Sequence, residues 1–399
     1  MGKQTFKPLG AFVCATALTL VIAACGGGGG GPTVDTSTSG STGTVSVKLA
    51  DAPSCGYDHV YITIDKVRIN ASATAADTDS GWTDIMVSPT QRFDLLTLSN
   101  GVLATLGEAP LAAGHYSQIE LVLAANDSTT PLANSVVPTG GTETALTTPS
   151  AQQSGLKLNA DITVTANQLA DVVLDFNACK SIVRAGNSGK YLLKPVIAVT
   201  PNFISGVSGY VDATLANGNT LVTVQQSGTV VKATAPDSTG QFLLEPVAPG
   251  SYDLVITAPG RATTVITGVQ VASNTVTAIN ASGTPLTPLV ALDGTAAGNI
   301  TTASSPILAS VDATQVLANG DTIDVADTSA DSVSGAYALS LPAATPNVAA
   351  YASGATSYTF TPDTKALTNY TLNASSGGAN QTAAVTIAAN ATVTTNFSF

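Results

Sequence analysis

The two histidines are the residues that most readily suggest catalysis. His59 directly follows Asp58, and His115 stands in a Gly-His-Tyr turn. A Ser-His-Asp arrangement is chemically open to a chain with many serines. However, the sequence has no Gly-x-Ser-x-Gly motif, no zinc-ligand spacing and no Cys-x-x-Cys pair. It therefore predicts no catalytic residues and a protein that is not an enzyme. An enzyme with its site around His59 and Asp58 is the third hypothesis.

Carboxylates cluster in two places and could hold a hard cation. The first group is Asp77 and Asp79, close to Gly81. The second group comprises Asp321, Asp324, Asp327 and Asp331. Calcium prefers oxygen-rich loops, but neither group has the spacing or the closing glutamate of an EF-hand. The pattern favours solvated acidic loops, so no metal and no cofactor is predicted, while calcium binding is left open.

Aromatic side chains beside polar ones could bind sugars. The candidates by residue type are Trp82, Tyr210, Tyr252, Tyr337 and Tyr351. At strand positions such residues more often pack in a core or along an edge. Carbohydrate binding is therefore the second hypothesis for function, behind a purely structural or binding role.

The first 25 residues have the features of an export signal. Lys3 and Lys7 give a positive start, and residues 9–24 are apolar or small with no acid. The run Val-Ile-Ala-Ala-Cys-Gly that contains Cys25 resembles the lipobox of bacterial lipoproteins. This resemblance implies transfer of diacylglycerol to the Cys25 thiol, cleavage before it, and acylation of the new amine by a fatty acid such as palmitate. Gly26, in place of aspartate, suggests the outer membrane.

A glycine run and a Ser/Thr/Gly-rich stretch follow Cys25, over residues 26–43. Such a composition cannot bury a core and is typical of a flexible tether. The sequence therefore predicts a lipid-anchored ectodomain that residues 25–43 tether to the membrane. Whether it faces the periplasm or the cell surface is left open.

Two further cysteines, Cys55 and Cys179, survive the predicted cleavage, whereas Cys14 leaves with the signal. Disulfides persist in exported proteins. We therefore predict a Cys55–Cys179 disulfide, with two free thiols as the alternative.

Composition narrows the range of partners. The chain has 399 residues, of which only 10% are charged, and its formal net charge is −12. Removal of residues 1–24 takes away Lys3 and Lys7, which leaves 12 basic and 26 acidic side chains and a net charge of −14. An acidic chain without basic clusters argues against nucleic acid as a partner. The expected partners are the membrane, through the lipid, and a glycan or an envelope protein.

Alternating apolar and polar residues predict strands throughout, as in residues 60–69, and no long helical period occurs. The fold class is therefore all-β, with tandem antiparallel β-sandwiches. Within residues 44–203, the stretches that carry a family resemblance are 49–53, 94–101, 113–121, 153–159, 181–183 and 191–197. They resemble a family of bacterial lipoprotein domains of unknown function, which implies no activity.

Two further domains are predicted after residue 203. Residues 204–284 contain Thr-Gly-Gln-Phe-Leu-Leu at 239–244 and Pro-Gly-Ser-Tyr at 249–252. These turn-and-strand motifs resemble the carboxypeptidase regulatory-like domain, a prealbumin-like β-sandwich related in fold to some carbohydrate-binding modules. The patterns at 239–244 and 269–274 recur in the same order at 334–339 and 385–390, so we predict that residues 285–399 are a diverged copy. Together these features predict a membrane-anchored, non-enzymatic structural or binding module of the bacterial envelope.

Overall fold

The structure, a computed structural model, describes residues 41–52, 56–148, 155–216 and 218–399, which belong to one compact unit. Strands dominate these ranges, and the α-helix in them, α1 (Ala178–Ser181), is a single turn. The all-β prediction is confirmed. In the described ranges, no helix has the length and hydropathy needed to cross a membrane.

The first domain is built from two sheets. Its strands are β1 (Thr42–Ala52), β2 (Tyr57–Asn70), β3 (Thr83–Asp94), β4 (Ala104–Ala112), β5 (Gly114–Leu123), β6 (Ser135–Pro138), β7 (Thr144–Thr147), β8 (Leu156–Val164), β9 (Leu169–Asn177), β10 (Ile182–Ala185), β11 (Lys190–Leu193) and β12 (Ile197–Pro201). One sheet has the order β12-β9-β1-β4, with β1 and β9 parallel. The other has the order β10-β11-β7-β6-β2-β5-β8, and β3 also pairs with β2.

Strand β2 shows how the sequence pattern produces this core. Val60, Ile62 and Ile64 face inward, and the apolar positions then resume at Val67 and Ile69. The spacing changes by one residue because the pairing of β2 with both neighbours shifts between residues 64 and 66. A bulge at that point keeps both apolar runs on the same face of the sheet. All five side chains are fully buried in the core of the first domain.

The second and third domains are β-sandwiches with the same strand order. The second contains β13 (Gly206–Tyr210), β14 (Leu221–Gln226), β15 (Thr229–Thr234), β16 (Gln241–Leu244), β17 (Gly250–Thr257), β18 (Thr264–Val271) and β19 (Val276–Ala278). The third contains β20 (Asp293–Thr301), β21 (Ala309–Val316), β22 (Thr322–Ser329), β23 (Ala336–Pro342), β24 (Asn347–Ala350), β25 (Thr361–Pro362), β26 (Asn369–Ser376), β27 (Ala379–Thr386), β28 (Thr392–Thr394) and β29 (Phe397–Ser398).

The sheets β16-β13-β19 and β15-β14-β17-β18 of the second domain correspond to β23-β20-β28 and β22-β21-β26-β27 of the third. The first strand of each domain also pairs in parallel with its late partner, β13 with β19 and β20 with β28. The two sandwiches therefore share one strand order.

Strands β24 and β25 interrupt this correspondence and join the two sandwiches. They lie between β23 and β26 in the chain, but β24 pairs in parallel with β18 of the second domain. The side chains of Tyr351, Tyr358 and Phe360, in the same segment, pack against the core of the second domain. The third domain thus contributes two strands to its neighbour's sheet, and the two sandwiches are continuous.

The repeated glycine motifs occupy the same turn in both sandwiches. Gly240 precedes β16 and Gly335 precedes β23, with φ of 85° and 70°. A Cβ on Gly240 would lie 2.1 Å from the carbonyl oxygen of Val211, and one on Gly335 would lie 1.9 Å from that of Ile300. Both positions therefore require glycine for conformation and for space.

Candidate functional site

The cysteines predicted to be functional lie mostly beyond the described ranges. Cys25 and Cys55 are outside them, so lipidation and the disulfide stay predictions. Cys179 is in helix α1. The register of β1 with β9 places Ala52 opposite Asn177, and the Ala178 amide donates to Asp51 Oδ1 at 3.1 Å. The chain segments that lead to the two cysteines therefore lie side by side.

The two histidines are far apart in the sheet and do not share a site. His59 lies on β2 and pairs with β6 on one side of that strand. His115 lies on β5, on the other side of β2, and pairs with β8. His59 Nδ1 lies 2.6 Å from Asp94 Oδ2, and its ring stacks on Tyr61. Asp58, the partner considered from sequence, instead accepts a hydrogen bond from the Gly140 amide. The imidazole is thus held by a carboxylate from β3 that sequence proximity did not suggest.

The first acidic group has structural roles. Asp77 forms an ion pair with Lys157 at 2.6 Å, and Asp79 Oδ2 accepts from the Ala76 amide at 2.8 Å. Within the described part of the chain, no group of three or more His, Cys, Asp or Glu residues has a metal-binding arrangement.

The aromatic residues considered for sugar binding are largely committed to packing. The Arg68 guanidinium lies over the Trp82 ring, 4.7 Å from its centroid. Tyr252 and Tyr337 are buried, and their hydroxyls donate to the carbonyls of Ala248 and Thr395. Tyr351 packs against the second core and Tyr210 is half-buried. Tyr252 and Tyr337 are therefore too buried to present a ring face to a sugar, and Arg68 covers one face of Trp82.

The second acidic group leads to the most unusual charge arrangement in the molecule. Asp324 and Asp327 on β22 face Lys180 of helix α1, whose Nζ is 4.0 Å from Asp324 Oδ2 and 3.4 Å from Asp327 Oδ2. Nearby, Lys232 of β15 pairs with Asp175 of β9 at 2.9 Å. We call these five residues, together with Asp312 of β21, the junction cluster. It combines residues from all three domains.

A buried glutamine fixes the position of Asp324. Gln225 of β14 accepts from the Asp324 amide at 2.7 Å and donates to the Asp324 carbonyl at 2.8 Å. Both bonds are buried and join the second domain to the third. Because the main chain is held on both sides, the carboxylate of Asp324 has a defined position.

The remaining members of the second acidic group are turn residues. Asp331 Oδ1 accepts from the Val333 and Ser334 amides, and its Oδ2 accepts from the Gly186 amide of the first domain at 2.6 Å. Asp321 lies in the hairpin turn before β22, hydrogen bonded to Asn319. The four aspartates predicted to form one loop therefore have separate roles. Asp321 lies in a hairpin turn, Asp324 and Asp327 belong to the junction cluster, and Asp331 accepts hydrogen bonds from main-chain amides.

Sequence reasoning missed Lys180, Lys232, Asp175 and Asp312 as parts of this cluster. One signal existed, because Lys232 interrupts an otherwise apolar run in β15, and only 5% of its side chain is exposed. A lysine buried this far is uncommon unless it is paired. Its partner, however, is in another domain and is not indicated by local spacing.

Burial dominates the electrostatics of the junction cluster. It raises the pKa of Asp324 to about 8, against which Lys180 and the Ala326 amide act in the opposite direction. Burial also raises the pKa of Asp327. For Lys180, burial alone would lower the pKa, but the attraction of Asp327 and Asp324 raises it overall. The cluster therefore contains a permanent cation beside a carboxyl group that titrates near neutral pH.

We expect the unfolding free energy to fall between pH 5 and pH 8. The folded-state pKa of Asp324 lies above the unfolded value of about 3.9. Its contribution to stability is thus complete below pH 4 and lost as the pH rises toward 8. The slope for one such group is roughly 1.4 kcal/mol per pH unit. Denaturant unfolding at several pH values should show a shallower decline for Asp324→Asn. Asp161→Asn, whose carboxylate is 92% exposed, should keep the wild-type slope; equal slopes in all three proteins would contradict the assignment.

The junction cluster borders a cavity of about 340 Å³. The charged residues in its wall are Asp175, Lys180, Lys232, Asp312 and Asp324. Apolar residues complete the wall, among them Phe176, Val196, Val231 and Ala233. The cavity thus has both charged and apolar residues in its wall, at the meeting point of three domains.

Comparison with family models finds a similarity in the first domain. Residues 42–195 match the family described as a domain of unknown function, DUF4382. The comparison with curated proteins gave no match. None of the matches indicates a catalytic family.

Solved structures with some similarity are β-rich proteins. One is a type II cohesin–X-dockerin complex from Acetivibrio cellulolyticus, with 25% identity over 22% of this chain and 58% of that chain, and a TM-score of 0.18. Another is the Bacillus anthracis TIE protein, with 12% identity over 90% of this chain and 50% of that one, and a TM-score of 0.17. A third is BcpA, the major pilin subunit of Bacillus cereus, with 11% identity over 90% of this chain and 99% of that one, and a TM-score of 0.17. The chain spans 58% of the first of these structures and 50% of the second. Residues 42–195 are thus similar to the DUF4382 family, whose function is unknown, and two β-sandwiches follow them in this chain.

Proposed function

We propose that this protein is a non-enzymatic structural or binding module of the bacterial cell envelope, anchored through a lipid on Cys25. The observation that carries the proposal is the continuity of the three domains. Strand β24 of the third domain extends the sheet of the second, and the junction cluster joins both to the first. A chain joined in this way acts as a stiff spacer, since its domains cannot hinge without exposing buried charges.

Further contacts between the domains support a stiff spacer. Asn100 of the first domain accepts from the Leu243 amide through Oδ1 at 2.5 Å, and its own amide donates to Thr234 Oγ1 at 2.8 Å. The Ser332 amide of the third domain donates to the Arg184 carbonyl of the first at 2.9 Å. Main-chain groups take part in each of these bonds, so the orientation of the domains does not depend on flexible side chains alone.

The proposal can be tested by protease treatment of membranes that carry the full-length chain. We expect the wild type in the membrane fraction, and cleavage in the predicted tether at residues 26–43 should release one fragment that contains all three domains. Cys25→Ser should be absent from the membrane fraction and carry no fatty acyl label. Cleavage at residues 202–205 or 281–292 would contradict the stiff spacer. Membrane retention of the Cys25→Ser protein would contradict the anchor, and competable binding to a glycan array would favour carbohydrate binding over a purely structural role.

A further inference from the structure

The charges of the junction cluster do not balance. Lys232 is 2.9 Å from Asp175, and Lys180 is nearer to Asp327 than to Asp324. Each lysine therefore has one close carboxylate. Asp312 and Asp324 remain, and both lie in the wall of the cavity. With four aspartates and two lysines, the cluster has a formal charge of −2.

Asp324 shows where this imbalance is greatest. Only 8% of its side chain is exposed, and Oδ1 has no hydrogen-bond partner within the described part of the chain. Asp312, in contrast, accepts from Asn373 Nδ2 at 2.9 Å. A buried carboxylate oxygen without a donor is costly, and the cost is removed when a ligand supplies the donor. The geometry thus calls for a cationic hydrogen-bond donor at Asp324.

The shape and walls of the cavity favour an organic donor over a metal ion. Three carboxylates or imidazoles in a metal-binding arrangement do not occur among the described residues. A volume of about 340 Å³ is also far larger than a single ion needs. Val196 and Val231, which are both exposed, offer apolar contacts to methylene groups in the wall of the cavity.

We propose that the junction cavity binds a small organic cation, specifically a linear diamine or polyamine with primary ammonium groups. One ammonium pairs with the Asp324 carboxylate, the second neutralises the charge near Asp312, and the methylene chain packs on the apolar residues of the cavity wall. Such a ligand bridges residues of all three domains. It therefore stabilises the assembled chain by mass action.

Binding at this site is coupled to proton release. Because burial raises the pKa of Asp324 to about 8, the empty cavity holds a proton there near neutral pH. An ammonium ligand favours the carboxylate and displaces that proton. The charged groups that face Asp324 are Lys180, Asp327 and Asp312. Affinity therefore rises by up to tenfold per pH unit between pH 6 and pH 7.

Isothermal titration calorimetry of the purified full-length chain with 1,4-diaminobutane tests the proposal. We expect saturable binding that strengthens from pH 6 to pH 7, with a heat that depends on the ionisation enthalpy of the buffer because a proton is released. The neutral analogue 1,4-butanediol should not bind. Asp324→Asn should weaken diamine binding at least tenfold, whereas Asp161→Asn should bind as the wild type does.

Several results would overturn the proposal. These are the absence of saturable diamine binding, equal binding to the Asp324→Asn and Asp161→Asn variants, and calcium binding that excludes the diamine. Circular dichroism melting checks that the Asp324→Asn protein is folded. If it is not, Asp312→Asn provides a second test, because an asparagine there can still accept from Asn373. A folded Asp312→Asn protein with wild-type diamine affinity would likewise contradict the assignment.

Discussion

Replacement of Lys180 by alanine is expected to lower the free energy of unfolding by about 3–5 kcal/mol at pH 8. The ammonium group of Lys180 lies 3.4 Å from Asp327 and 4.0 Å from Asp324. Its removal leaves both carboxylates without this compensating positive charge. An uncompensated buried charge is one of the few mechanisms that produces a loss of this size from one side chain. At pH 5 the loss should be smaller, since both aspartates can then take up a proton. Denaturant unfolding at the two pH values measures the difference.

Two further variants separate the charge effect from loss of packing. Lys190 is exposed on β11 of the same domain, so Lys190→Ala should change the unfolding free energy by less than about 0.5 kcal/mol. Replacement of both partners in Lys180→Met/Asp327→Leu removes the unpaired charge and should recover most of the stability. A Lys180→Ala protein as stable as the Lys190→Ala protein would contradict a junction held by Lys180.

Lys180→Ala should also lower the cooperativity of unfolding between the domains. In the wild type the junction cluster links helix α1 of the first domain to β22 of the third. Loss of that link leaves the first domain attached to the others through Asn100, through Lys232, and through the hydrogen bonds of Gly186 and Arg184 with the third domain. Calorimetric melting should then change from one transition toward two, with the first domain separated from the paired sandwiches. A stiff spacer depends on this coupling, so the thermal profile bears on the proposed function as well.

Local sequence patterns were sufficient to predict the class of fold. Alternation in β2 predicts a strand with one buried face, and the structure shows that face across the bulge at residues 64–66. The Gly-x-aromatic pattern at Gly240 and Gly335 identifies equivalent turns because both positions demand a positive φ. These features depend on residues close in sequence, so they are readable without tertiary information.

The candidate site could not be predicted in the same way, because its members come from distant segments. Lys180 and Asp324 are 144 positions apart by their residue numbers, and nothing in the local pattern of either residue indicates the other. Neighbouring residues can also mislead. Asp58 and His59 are adjacent on a strand, where successive side chains point to opposite faces, and the carboxylate that reaches His59 is Asp94 of β3. The parallel pairing of β24 with β18 is equally non-local.

Replacement of Gly240 by alanine is expected to destabilise the second sandwich by about 3 kcal/mol or more. A left-handed backbone costs a residue with a Cβ roughly 1–2 kcal/mol. The new methyl would also meet the carbonyl oxygen of Val211 at 2.1 Å, and that carbonyl belongs to main chain that cannot move freely. The clash would break the turn that leads into β16, whose Phe242 is fully buried in the core. Thermal melting of the full-length chain measures the loss.

Two other glycines divide this effect into its parts. Gly268 has φ of 72° but open space around its Cβ position, so Gly268→Ala should show the backbone cost alone, about 1–2 kcal/mol. Gly283 has open space and no positive φ, so Gly283→Ala should be nearly neutral. Gly335→Ala in the third domain should match Gly240→Ala, because its Cβ would lie 1.9 Å from the Ile300 carbonyl oxygen. Equal losses at positions 240 and 335 would mean that the two sandwiches retain the same structural requirement at this turn, whereas a tolerated alanine at either one would show that the repeat no longer constrains it.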